Sequence, residues 1–126
     1  MSLLIQRKAF DAASATETKT LSAINAQLAA VLSLVLTVEP TVFTGTLDIQ
    51  GRGDGGTYTN LAYGELDQDG GIQPLVNDQL SLSASSTRRR YLVPFVEPDT
   101  QLVLAVTSGT ISVWVVGSAM PIPLPR

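Results

Sequence analysis

Val42-Phe43-Thr44-Gly45-Thr46-Leu47-Asp48-Ile49-Gln50 decides the fold class. Phe43, Gly45, Leu47 and Ile49 leave one side of an extended chain, while Thr44, Thr46, Asp48 and Gln50 leave the other. A period of two with one apolar side is the pattern of a half-buried antiparallel strand, because successive side chains leave opposite faces of a pleated sheet. The same alternation recurs downstream. Leu80, Leu82 and Ala84 alternate with Ser81, Ser83 and Ser85, and Ile111, Val113 and Val115 alternate with Thr110, Ser112 and Trp114.

Turn residues punctuate these runs. Gly51-Arg52-Gly53-Asp54-Gly55-Gly56, Asp67-Gln68-Asp69-Gly70-Gly71, Asn77-Asp78 and Ser108-Gly109 supply positive φ and local side-chain turns. The resulting strands are 2–9, 17–22, 30–38, 42–50, 57–63, 72–76, 79–85, 89–96, 101–107 and 110–117. Short strands at such spacing predict an all-β fold: a single-domain antiparallel β-sandwich, jelly-roll-like, over residues 1–118. One segment resists. Leu21, Ile24, Leu28 and Val31 fall at helical spacing behind a capping residue at Thr16. Strand and loop are preferred there, with a short helix near 20–30 as the alternative.

Both ends read as extended. Met1–Phe10 begins Met-Ser-Leu-Leu-Ile and carries Arg7 and Lys8 after its apolar part, which is the wrong order for a secretory leader. Residues 119–126 end in Pro121-Ile122-Pro123-Leu124-Pro125. Proline at every second position has no N–H for a ladder, so this segment reads as an extended tail suited to a groove on another subunit.

The chain has no histidine and no cysteine, which removes imidazole and thiolate chemistry and any disulfide framework. No cofactor and no metal are expected. The longest apolar run, Leu28–Val38, is about half the roughly 20 residues a membrane helix needs, so no membrane partner is expected. A net charge of −3 argues against nucleic acid. No enzymatic chemistry is expected either, since the carboxylates lie mostly in turns and none is singled out as a pair.

Four local motifs are set against plainer readings. Arg52-Gly53-Asp54 spells the cell-adhesion tripeptide but sits where a turn wants Gly and Asp. Asp67-Gln68-Asp69-Gly70 offers oxygens for calcium without the remaining ligands of an EF-hand loop. Gly51-x-Gly53-x-x-Gly56 has the dinucleotide spacing, but Thr57-Tyr58-Thr59 after it reads as strand where a helix is required. Arg88-Arg89-Arg90 reads as a solvated strand edge or as a charged contact with an acidic partner surface.

The order of these signals carries a resemblance. Glu39-Pro40 leads into Phe43-Thr44-Gly45-Thr46-Leu47-Asp48-Ile49-Gln50-Gly51, then Asp54-Gly55-Gly56 and Tyr58; Tyr91-Leu92-Val93-Pro94 and Ser108-Gly109-Thr110-Ile111-Ser112-Val113 follow. Residues 30–118 thereby resemble the small β-sandwich accessory proteins of tailed-bacteriophage virions, among them capsid decoration (cement) proteins and head-fibre or tail-associated modules. The chain departs from that group in having no fibre repeat and no separate receptor-binding domain.

The resemblance implies a structural virion protein on the capsid surface, made in the host cytoplasm. Its partners would be the major capsid protein and further copies of itself, as a homo-oligomer of trimeric form. Leu3, Leu4 and Ile5, Arg88, Arg89 and Arg90, and Pro121, Ile122, Pro123, Leu124 and Pro125 are the expected interface residues. A composition of 44% apolar against 15% charged residues fits, being more apolar than one small domain needs. The rival reading is a carbohydrate-binding or receptor-adhesion module stacking sugars on Tyr58, Tyr63 or Trp114. An exposed coplanar aromatic pair beside the Asp-rich turns would favour it.

Overall fold

The computed structural model describes residues 4–53, 55–67, 69, 71–97 and 99–118, without the side chains of Leu4, Ile5 and Ala29. The chain is all-β. Its strands are β1 (Leu4–Ala13), β2 (Glu17–Thr20), β3 (Ser33–Arg52), β4 (Thr59–Asn60), β5 (Gly64–Leu66), β6 (Leu80–Ser85), β7 (Arg89–Val93) and β8 (Asp99–Ser118).

Two 20-residue strands, β3 and β8, pair antiparallel from Ser33↔Ser118 to Arg52↔Asp99 and form the spine. The strands expected at 30–38 and 42–50 are the two halves of β3, and those at 101–107 and 110–117 are the two halves of β8. Glu39-Pro40, between two expected strands, and the expected turn Ser108-Gly109 do not end strands. They sit where the paired strands bend together. Pro40 keeps its register with Ile111 of β8, and on its other side the β7 ladder has stopped at Val38 and the β6 ladder starts only at Phe43.

The bend sorts the sheet into two halves. The N-terminal half of β3 and the C-terminal half of β8 lie between β1 and β7, with β5 beyond β7. The other halves of the same strands lie between β2 and β6, with β4 beside them. The inward parity switches at the bend. Leu34, Leu36 and Val38 give way to Phe43, Leu47 and Ile49 on β3; Leu102 and Leu104 give way to Ile111, Val113 and Val115 on β8. All eleven belong to one buried cluster, so both halves supply a shared core. A one-residue slip in a period-two pattern flips every side chain, so an extra residue at the bend keeps both halves facing inward.

That extra residue is visible on three strands. Ala12 on β1, Val42 on β3 and Ala84 on β6 have φ of 47°, 41° and 45°, each at or beside a register irregularity. Each displaced N–H finds a hydroxyl on a neighbouring segment. Ala12 donates to Ser112 Oγ, Val42 to Ser86 Oγ and Ala84 to Thr44 Oγ1, all at 2.9 Å. Ser112, Ser86 and Thr44 are thus the acceptors along a fold line crossing the sheet.

The helical alternative wins between the first strands. Glu17–Thr20 is strand, then Leu21–Ile24 forms one α-helical turn (α1) and Ala26–Ala30 a 3₁₀ turn. Thr20, not Thr16, caps α1: its Oγ1 accepts the Ala23 N–H at 3.2 Å, and Asn25 Oδ1 accepts the Gln27 N–H at 2.9 Å. The helical spacing had its physical cause, since Leu21, Leu28 and Val31 are buried and Ile24 packs against the core. Thr16 instead accepts the Val106 N–H at 3.0 Å.

Two further expectations are corrected. Residues 57–63 give only the two-residue β4 and a bridge at Tyr63, because β6 already occupies β3 from Phe43 to Leu47. Residues 72–76 make isolated bridges, Leu66↔Ile72 and Tyr63↔Val76, around Pro74, which has no N–H to give. The short β5 was not foreseen.

Candidate functional site

Arg89 opens β7, paired with Val38 on one side, while Arg90 lies between Thr37 and Leu66. Both layers of the fold come to an edge here: β5 and β7 from one, β6 from the other. Arg89 is on the same face as Tyr91 and Val93, which enter the core, so it stands at the core's mouth. Its Nη1 donates to Glu65 Oε1 at 3.0 Å, with side chains 46% and 36% exposed. An exposed pair of this kind contributes about 0–1 kcal/mol, so it orients the guanidinium more than it holds the fold. Arg88 and Arg90 are exposed, with no ion-pair partner among the described residues.

The Arg89–Glu65 pair separates two adjoining clefts. One, of about 560 Å³, is charged and lined by Arg88, Arg89, Arg90, Glu65, Asp67 and Thr87, with Leu66. The other, of about 500 Å³, is lined by Tyr63, Tyr91, Leu80, Leu82 and Val76 together with polar side chains. The tyrosine rings meet edge to face, with centroids 5.7 Å apart. Burial pushes the Tyr63 hydroxyl up to about 12, with Asp78 adding to the shift. A phenol so held stays a neutral donor at any physiological pH. Sequence reasoning found the arginines but missed this second cleft. Its only signal was Leu80 and Leu82 on a short strand otherwise made of serine and alanine.

The remaining expected interface residues divide between described and undescribed segments. Leu4 and Ile5 pair along the backbone with Ser118 and Gly117 of the same chain. Leu3 and Pro121, Ile122, Pro123, Leu124 and Pro125 lie outside the described residues.

Of the Arg-Gly-Asp motif, Arg52 ends β3 and Gly53 bends away from it, while Asp54 lies outside the described residues. Arg52 Nε donates to Asp99 Oδ2 at 2.7 Å across the last rung of β3 and β8, and Tyr58 Oη donates to the same oxygen at 2.8 Å. The guanidinium also lies 4.4 Å from the Tyr58 ring centre. The two donors hold the Asp99 carboxyl below its ordinary range, Tyr58 first and Arg52 second. Arg52 is thereby committed to its own chain.

Asp67 is similarly engaged. Its Oδ1 accepts the N–H groups of Asp69 and Gly71 at 3.1 and 2.7 Å, closing the turn that was the calcium candidate.

The aromatic residues do not form a sugar platform. Tyr58 is covered by Arg52, Lys8 Nζ lies 5.2 Å from the Trp114 ring centre, and Tyr63 and Tyr91 are buried and nearly perpendicular. No exposed coplanar pair occurs among the described residues.

No protein-family model matches the sequence, and no curated protein matches it. Among solved structures, the chain is similar to the SPBc2 prophage-derived protein YomS, with a TM-score of 0.62 over 94% of this chain and 95% of that one. The likeness is one of fold. At 9% identity the two sequences share architecture and little else. Looser superpositions occur on the Tobacco streak virus coat protein dimer and on the same coat protein in a C2 crystal form. Their TM-scores are 0.47 and 0.45, each at 14% identity over 99% of this chain and 90% of the other.

Proposed function

We propose that this chain is a structural virion protein, a decoration or cement protein that binds the assembled head of a tailed phage and braces it. The observation that carries the reading is the shared fold with a prophage-derived protein over nearly the whole of both chains. Strand order supports it. One half-sheet runs β1-β8-β3-β7 and the other β2-β8-β3-β6, so β3 and β8 each pass from one layer into the other. We read this order as jelly-roll-like, an architecture used in viral capsid and lectin domains.

The role is non-catalytic. A protein that binds the closed shell and not its free subunits stabilises the shell by mass action. Arg88 and Arg90, exposed beside the charged cleft, suit an acidic patch on the major capsid protein, where charge complementarity sets register and encounter rate. Self-association, as a trimer at threefold positions, completes the reading. Co-sedimentation tests it: the protein should travel with assembled heads and not with free major capsid subunits. Equal binding to both, or to neither, overturns the proposal.

A further inference from the structure

β6 is paired on one side only. Its register with β3 runs unbroken from Leu80↔Leu47 to Leu82↔Gly45, and it pairs with no other strand among the described residues. Side chains from both of its faces, Leu80 and Leu82 from one and Ser81 and Ser83 from the other, line the cleft shared with β5 and β7. Successive side chains leave opposite faces of a strand, so both sets can meet one cleft only along the strand's edge. The cleft therefore runs beside backbone N–H and C=O groups that no described strand pairs. Lysine and proline are the usual guards of such an edge, and β6 has neither; only Ala84, at φ 45°, kinks its far end.

Charge selects what this edge takes. Beyond Ser85, Arg89 lines the cleft and pairs with Glu65, while Arg88 and Arg90 are exposed, with no ion-pair partner among the described residues. The other end is acidic. Asp78 lies just before β6, and Asp48 accepts a hydrogen bond from Gln79 Nε2 at 3.0 Å. β6 runs from the acidic end toward the arginines, so an antiparallel neighbour would begin at the arginines.

We infer that β6 takes an extended segment of a partner protein as an added antiparallel strand, with acidic residues at the segment's N-terminal end. Main-chain hydrogen bonds to the open edge supply the affinity, and the arginines fix direction and register. The polar walls suit this mode, since Gln73, Ser81 and Ser83 offer a passing strand hydrogen bonds instead of apolar anchors. Antiparallel addition is favoured because that ladder is slightly more stable per residue than a parallel one. The inference rests on the acidic partner surface in the proposed function and gives that contact its form.

The test uses the full chain and needs no phage heads. Amide spectra are recorded with the end-blocked peptide Glu-Glu-Thr-Val-Thr-Val-Thr and with its Lys-Lys counterpart. The acidic peptide should shift the Leu80–Ser85 amides and slow their hydrogen exchange, and the basic peptide should leave them unchanged. The R88E/R90E variant, altered only at exposed side chains, should bind the acidic peptide about tenfold more weakly and gain binding of the basic one. N-methylation of alternate peptide amides should abolish binding in one parity and spare it in the other. Only every second N–H of an added strand faces its neighbour. Shifts confined to the arginines, equal effects of both parities, or no binding at millimolar peptide overturn the inference. Co-sedimentation with heads then still stands as the test of the decoration reading; peptide binding without head binding overturns that reading alone.

Discussion

Gly109 of β8 lies directly against the carbonyl of Val42 on β3, so close that a Cβ at position 109 would overlap the Val42 carbonyl oxygen. Gly109 also has φ +79°, a conformation that side chains rarely adopt. Both facts belong to the fold line, where the two spine strands turn from one layer into the other. Gly109→Ala should therefore cost about 3 kcal/mol or more, adding backbone strain to a collision that no side-chain rotation relieves. Urea midpoints at constant slope measure it; a loss well under 1 kcal/mol would mean the bend is soft.

Val42 presents the opposite case. It is β-branched at φ +41° and 62% exposed, so its side chain adds strain while burying little. Val42→Asn should raise stability by about 1 kcal/mol, since Asn tolerates this region. Ser86→Ala should lower it by about 1 kcal/mol by removing the acceptor for the Val42 N–H. The pair of thermal melts should move in opposite directions.

Acid should weaken the staple at the far end of the spine. Asp99 is held below its ordinary value by Tyr58 and Arg52, so its contribution is present above the usual carboxylate range and fades as pH falls through its lowered folded value. The stability gap between the wild type and Asp99→Asn should be full at neutral pH and close below about pH 4. Urea midpoints taken from pH 2 to 7 check this, and a gap independent of pH would contradict it.

Alkali should act through Tyr63. Its folded pKa, raised to about 12 chiefly by burial, exceeds the usual value near 10. The neutral phenol is favoured by the fold, so its contribution is whole below pH 10 and is lost as pH rises toward 12. Tyr63→Phe should flatten that decline. In an absorbance titration of the three tyrosines, the last ionisation should disappear in the variant.

Much of this was legible in the residues. The alternation from Phe43 to Gln50 and from Ile111 to Val115 fixed two strands and their buried faces, because burial imposes a period that composition cannot imitate. The continuity of β3 and β8 was not legible. Glu39-Pro40 and Ser108-Gly109 have the composition of chain reversals, and only the partner strand decides whether such residues reverse a chain or bend a ladder. Gly45 illustrates the limit: it holds an inward position because the Phe43 ring and the Ala105 carbonyl leave no room for a Cβ, a contact between residues 60 apart in sequence. The arginine run was visible as charge. The neighbouring cleft was not, since it is built from β5, β6 and β7, whose meeting depends on the bend.

The most direct test of the proposed structural virion role is mass spectrometry of density-purified virus particles from a host in which this chain is expressed. The chain should be present in intact virions at a fixed ratio to the major capsid protein and be retained after DNA release. A chain abundant in the infected lysate but absent from purified particles would contradict it.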